Sequence, residues 1–352
     1  MSTTHHPQPD PASCSVSSAR LAEPLAGTGP QATAWLAIEQ PGPWGRRALT
    51  ESHLDPQLGH ELDRRAEAAG VRIALIRRPG RHALAADDPG SGAEADSIDP
   101  DAAASATDQG RHTGTGQPRQ VLFADTTPGR AALRSLTITD PEQLLDLDFA
   151  ALAAGDWTGP GLLSTATVEP NPMLLVCTNG KRDRCCALLG RALTLDLVDL
   201  MATAADGLTI WETDHLGGHR FAPTALVLPT GYVYGRLDAA SAAAAVEAAR
   251  SGQMLGRQCR GRSTWNHRGQ AAELALREDL QEYGADAVLV VSEQPTDPAG
   301  AGSTWDVALT ANAVTYRATV SQRAAEEPRA ESCGKAFGTP IEISVLGLEK
   351  LG

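Results

Sequence analysis

Three cysteines fall within ten positions in the stretch CTNGKRDRCC, Cys177 to Cys186, and two histidines, His215 and His219, bracket Leu216, Gly217 and Gly218 soon afterwards. A thiol must lose its proton to act as a ligand or a nucleophile, and neighbouring cations favour that loss. Lys181, Arg182 and Arg184 lie in the loop between the cysteines, and Arg220 follows the second histidine. Two imidazoles at this spacing reach a single metal ion, and the glycines between them disfavour a regular helix while letting backbone approach closely. Taken singly, a Cys-Cys pair or a histidine near a strand end is more often core or satisfied surface. Two cysteines nine apart followed by H-x-x-x-H point jointly to metal binding.

Spacing alone leaves the metal open. Two cysteines and two histidines are a zinc set by default, yet zinc cysteines usually stand two to four residues apart, and the gap here is long. The same four ligands hold a two-iron two-sulfur cluster in Rieske centres, but there each Cys is grouped with a nearby His, whereas here Cys stands with Cys and His with His. Cys14, Cys259 and Cys333 stand alone in the sequence and read as small, partly buried residues.

The elements that must position these residues are alternating strands and helices. PMLLVCTNG is a short apolar strand ending at Cys177. CCALLGRALTLDLVDLMATAADG has helical spacing, LTIWET is a strand, and TALVLPTGYVYGRL forms two strands around a Pro-Thr-Gly turn. DAASAAAAVEAARSG and NHRGQAAELALREDLQEYG read as helices, AVLVVSE as a strand, and TWDVALTANAVTYRATVSQ as a hairpin. Upstream, the Ala34 to Ile38 strand, the LGHELDRRAEAAG helix and the VRIALI strand make a βαβ unit. Trp35 and Trp44 serve core and turn packing. The expected class is α/β, two domains with mixed sheets and no solenoid repeat. A polar leader spans 1–12, an N-terminal α/β domain 13–165, a second domain 166–336 and a C-terminal tail 337–352. Within the first domain, residues 85–118 lack large apolar side chains and read as a disordered acidic insertion.

The chain has 352 residues, 42% of them hydrophobic, and a formal charge of -13. That is enough apolar material for more than one core. Between Arg81 and Arg111 there are seven acidic and no Lys or Arg residues, so over half of the excess lies in one segment. With no basic stripe, nucleic acid is discounted, and an acidic surface disfavours anionic membranes as well. The N-terminus lacks a cationic, apolar secretory pattern, and no stretch has the length of a membrane span. The expectation is a cytoplasmic protein, where a local cysteine cluster is metal-binding or catalytic rather than a disulfide scaffold.

The stretches CTNGKRDRCC, HLGGHRFAPTALVLPTGYVYGRL and CRGRSTW resemble the sucrase/ferredoxin-like family, and CSVSSARLAEPLAGT with WLAIEQPGPWG resembles its first half. The likeness runs from Cys14 to about Cys333. It implies a thioredoxin-like ferredoxin domain in the second half, carrying a 2Fe-2S cluster held by Cys177, Cys186, His215 and His219 for electron transfer. Matching the Arg-Asp of the loop and an eight-residue gap selects Cys186 as the second thiolate, with Cys185 as runner-up. Where the family often has His after Cys-Thr, this chain has Asn179. Imidazole ligands raise the potential over four thiolates and couple electron to proton transfer. The implied role is a redox carrier with a separate partner protein rather than an enzyme with its own substrate. Homodimerisation is left open. No carriage of sugar chemistry follows, since no carboxylate pair stands in a glycosidase context. The rivals are a thiol oxidoreductase using Cys177, with Cys185 or Cys186 resolving, and a zinc-stabilised binding module.

Overall fold

The structure, a computed structural model, describes residues 10–80, 116–203, 208–296 and 303–351. Most of the leader and of the acidic insertion lie outside the described residues. The chain opens with α1 (Cys14–Arg20), followed by β1 (Ala34–Glu39), α2 (Pro56–Ala69), β2 (Val71–Arg77), β3 (Arg119–Asp125) and β4 (Ala132–Ile138). Two short helices, α3 (Phe149–Ala154) and α4 (Leu162–Thr165), and the two-residue β5 (Thr167–Val168) lead to β6 (Met173–Cys177). Next come α5 (Arg191–Thr203), β7 (Thr209–Thr213), β8 (Ala225–Leu228), β9 (Tyr232–Tyr234), α6 (Ala239–Arg250), β10 (Cys259–Arg262) and α7 (His267–Leu280). The strands β11 (Val288–Pro295), β12 (Thr304–Ala311), β13 (Val314–Ala324) and β14 (Ile341–Lys350) complete the chain.

Local chemistry sets the helix boundaries. Asp55 accepts from the Gln57 and Leu58 amides at the start of α2, Pro56 occupies the first turn, and Gly70 ends the helix with left-handed backbone. Asp238 and Ser241 form a reciprocal capping box on α6. α2 and α6 each turn an apolar face to the large sheet, which supplies the burial that short helices need.

Ten strands form one mixed sheet in the order β10-β9-β8-β6-β7-β2-β1-β3-β4-β5, and β11 to β14 form a separate antiparallel sheet. In the first half, β1 lies between parallel β2 and antiparallel β3, with β4 antiparallel beyond. In the second, β6 lies between parallel β7 and antiparallel β8, with β9 antiparallel beyond. The second half thus runs β7-β6-β8-β9, and the first half repeats that arrangement as β2-β1-β3-β4. The halves meet through β2 and β7, antiparallel at Ile76 opposite Thr213 and Arg77 opposite Glu212. There Arg77 donates to the Glu212 carboxylate at 2.8 and 2.6 Å, both side chains being buried, and Thr178 donates to the same oxygen at 2.8 Å. The strands of the two expected α/β domains are thus hydrogen-bonded into one mixed sheet.

Residues 337–352, read from the sequence as a tail, instead supply β14, the edge of the second sheet. Ile343 and Val345, two apart in the apolar alternation of that strand, pack on the core beneath α7. Trp35 and Trp44 are buried, as expected, with their indole N–H groups donating to Ser263 at 3.2 Å and to the Gln40 carbonyl at 3.0 Å. Among the described residues, no helix is long and apolar enough to cross a membrane.

Candidate metal centre

Cys177 ends β6, a fully buried central strand, and its thiol faces the Asp214 carbonyl at 3.7 Å just beyond the end of parallel β7. The loop after Cys177 returns through a wide helical turn, Cys186–Gly190, into α5. Gly190 allows that approach, because a Cβ there would overlap the Cys177 carbonyl oxygen. Asn179 shapes the loop by accepting from the Lys181 amide at 3.0 Å and donating to the Gly45 carbonyl at 3.0 Å.

The histidines arrive from the other side. After β7 the chain makes a tight excursion in which Gly217 and Gly218 both have left-handed backbone, φ 72° and 67°. A Cβ on Gly218 would also overlap the Arg260 guanidinium. That guanidinium is buried, donating to the Gly217 carbonyl at 3.1 Å, to the Thr28 hydroxyl at 3.1 Å and to the Thr28 carbonyl. The turn stacks the two imidazoles with ring centroids 5.0 Å apart and 29° between their planes.

The four residues singled out from the sequence form a chain of pairwise contacts near the end of β6. Cys186 interacts with Cys177 on one side and lies 3.4 Å from His219 Nδ1 on the other, and His219 stacks on His215. Cys177 and Cys186 are 1% exposed, whereas the imidazoles are half-buried. The His215 Nδ1 atom is buried without a hydrogen-bond partner. Burial, then the Arg182, Arg72 and Arg260 charges and the second ring, push His215 down to about 3; burial and the same Arg182 and Arg260 take His219 to about 4. Both rings are thus neutral near pH 7, the form that offers a nitrogen lone pair to a metal. The hydrogen bond from Cys186 lowers Cys177 despite its burial, and that same contact, with burial, raises Cys186.

Sequence reasoning named Lys181, Arg182, Arg184 and Arg220 as the surrounding cations. Lys181 and Arg184 face solvent, and Arg182 is half-buried beside the histidines. Arg220 is instead engaged by Glu23, its Nε 2.6 Å from the carboxylate. Arg72 and Arg260 were missed. Arg72 lies over the Trp35 ring at 5.2 Å and donates to the His215 carbonyl at 3.3 Å. An isolated Arg in VRIALI or CRGR carries no local signal of this role.

Cys14 and Cys333, expected to stand alone, do not. Both converge on Cys185, and Asp183 joins them. Hydrogen bonds from Cys14, Ser15 and Cys333 lower Cys185 to about 5 against the burial that would raise it, while Cys14 is raised, chiefly by the same Cys185 contact. The neighbouring thiols Cys185 and Cys186 thus serve two different groups.

No curated protein and no solved structure matches the chain. The sucrase/ferredoxin-like family matches residues 25–261, more than half of the sequence, including both cysteines and both histidines at the end of β6. The chain belongs to the sucrase/ferredoxin-like family.

Proposed function

We propose that the protein is a one-electron carrier whose Cys177, Cys186, His215 and His219 hold a 2Fe-2S cluster. The observation that supports this most is the run of contacts from two buried thiols to two neutral, half-buried imidazoles near one strand end, with His215 Nδ1 left unpartnered. The donor set fits the group: thiolates and imidazoles are the ligands of mixed Cys/His iron-sulfur centres. Such a cluster supplies one-electron redox chemistry at a potential raised by its imidazole ligands.

The rest of the arrangement serves that chemistry. Two thiolates in a buried place need positive charge nearby, and Arg72, Arg182 and Arg260 provide it without hydrogen-bonding away the ligand atoms. Leu216, fully buried, excludes water from the inner side. The half-buried imidazoles form the solvent side, where a ring N–H not used for ligation would be able to exchange its proton with water if the charge of the site changed. Exposed Lys181 and Arg184 beside the loop suit an acidic face on a redox partner protein.

Anaerobically purified protein tests the reading. About two irons and two acid-labile sulfides per chain, with visible absorption bleached by one electron, are expected. Colourless protein whose zinc depends on Cys177 and His219 would make this a zinc-stabilised module, and colourless, metal-free protein with a Cys177–Cys186 disulfide would make it a thiol oxidoreductase.

A further inference from the structure

We propose a second metal site: a single zinc ion bound by Cys14, Cys185, Cys333 and Asp183, separate from the four residues at the end of β6. The three Sγ atoms form a near-equilateral triangle, 3.5 Å from Cys14 to Cys185, 3.2 Å from Cys185 to Cys333 and 3.5 Å from Cys333 to Cys14. The Asp183 carboxylate oxygens lie 3.8 and 3.9 Å from Cys14 Sγ, and the four ligand atoms all lie within 4.8 Å of one another. A tetrahedral zinc with sulfur at about 2.3 Å and oxygen at about 2.0 Å has edges of roughly 3.8 Å between sulfurs and about 3.5 Å between sulfur and oxygen. The sulfurs lie a few tenths of an ångström inside that edge, a spacing that one ion accommodates with a small outward shift of the thiols. A disulfide would draw two of the sulfurs together and leave the third apart.

The carboxylate is oriented for the role. Asp183 Oδ1 accepts from the Cys185 amide at 2.8 Å, and Oδ2 accepts from the Ser332 hydroxyl and the Cys333 amide, each at 2.8 Å. Of the four lone-pair directions on a carboxylate, these use three and leave one on Oδ1. The Ser15 hydroxyl lies 3.2 Å from Cys185 Sγ and donates to it, a partner that steadies a ligating thiolate. Cys14 and Cys185 are buried, Asp183 is 4% exposed and Cys333 is half-buried, which is the closed environment of a structural site rather than one with an open position.

The site would join three remote parts of the chain. Cys14 begins α1, Cys185 precedes the turn into α5, and Cys333 lies between β13 and β14, with sequence separations of 171, 148 and 319 residues. Closing loops of that size is where a cross-link reduces unfolded-chain entropy most. Cys14 and Cys333 lie outside residues 25–261, so the site lies partly beyond the family-matched segment. Because Cys186 follows Cys185 directly, the ion would also anchor the loop that presents Cys186 to the other centre.

Metal analysis of the full-length chain, purified anaerobically with reductant, tests this independently of the iron centre. Zinc is expected at about one per chain. It should fall at least tenfold in Cys14→Ser and in Cys333→Ser and persist in Cys177→Ser. Cys333 is half-buried in a loop, so its replacement yields soluble protein even where that of Cys14 does not. Asp183→Asn, which keeps the shape but not the charge, should weaken zinc retention against a chelator. Zinc content indifferent to Cys14→Ser and Cys333→Ser overturns the proposal. So does loss of iron instead of zinc in Cys333→Ser, or a metal-free wild type in which the three thiols are alkylated or two are joined.

Discussion

Cys185 and Cys186 are neighbours in sequence and point into different groups: Cys185 Sγ lies 3.2 Å from Cys333 Sγ, and Cys186 Sγ lies 3.4 Å from His219 Nδ1. The divergence arises at the first turn of the helical segment, where successive side chains are separated by about 100° around the axis. One backbone segment therefore delivers a thiol to each of two sites.

That divergence separates two variants. Cys186→Ser is expected to yield colourless protein with at least tenfold less iron, whereas Cys185→Ser keeps most of the iron and the visible spectrum. Iron and sulfide analysis of both checks it. A coloured Cys186→Ser beside a colourless Cys185→Ser would exchange the roles assigned to the pair.

A second expectation concerns the histidines. Imidazole ligands hold one dissociable proton each on the second ring nitrogen, and the oxidised, more positive centre makes that proton easier to lose. The midpoint potential should fall as pH rises through this titration, by about 59 mV per pH unit where one proton accompanies one electron. His215→Cys and His219→Cys should lower the potential and flatten its slope. Potentiometric titration across pH measures both, and a flat wild-type profile with no shift in either variant removes the histidines from the ligand set.

The two close approaches make a third prediction. Gly190→Ala forces a Cβ onto the Cys177 carbonyl, and Gly218→Ala forces one onto the Arg260 guanidinium from left-handed backbone. Each should cost about 1–3 kcal/mol from overpacking, with Gly218→Ala adding roughly 1–2 kcal/mol for its backbone conformation. Denaturant unfolding gives the costs, and iron content shows whether the ligand geometry went with them. Unchanged stability in both would mean that α5 and the histidine turn shift freely.

A fourth rests on Glu23, buried between Arg220 at 2.6 Å and Arg329 at 3.2 Å. Burial alone would raise its pKa, but the Arg220 guanidinium, with Ser18 and Arg329, holds it below the usual carboxylate value. The folded state therefore binds this proton less readily than the unfolded one. The resulting stability is fully present above the unfolded pKa and is lost as pH falls through the folded value. Glu23→Gln should cost roughly 1.5–3 kcal/mol near neutral pH by removing the buried carboxylate that both guanidiniums share, while Arg220 keeps Glu331 and Arg329 keeps Glu342, and the gap from wild type should narrow below about pH 4. Unfolding free energies of both proteins over pH 3 to 7, spanning the ordinary carboxylate range, check it. A gap that stays constant would assign the cost to packing rather than charge.

What the sequence determined is local or linear. The run MLLVC, the helical spacing and Gly70 stop of α2, and the Pro-Thr-Gly turn between β8 and β9 each carry their own propensity, and each element formed there, α2 starting two residues earlier at Pro56. Cys177, Cys186, His215 and His219 were legible because each pair is close in the chain and the types are rare. The β14 strand was missed because a short alternating run at the chain end becomes a strand only once β13 supplies its hydrogen bonds. Joining the halves through β2 and β7, placing Arg72 and Arg260 beside the histidines, and bringing Cys14, Asp183, Cys185 and Cys333 together all depend on contacts between remote residues. Cys14 and Cys333, 319 residues apart, carry no periodicity or spacing that relates them. Only the packing of α1 and of the segment before β14 against the loop after β6 puts their sulfurs 3.5 Å apart.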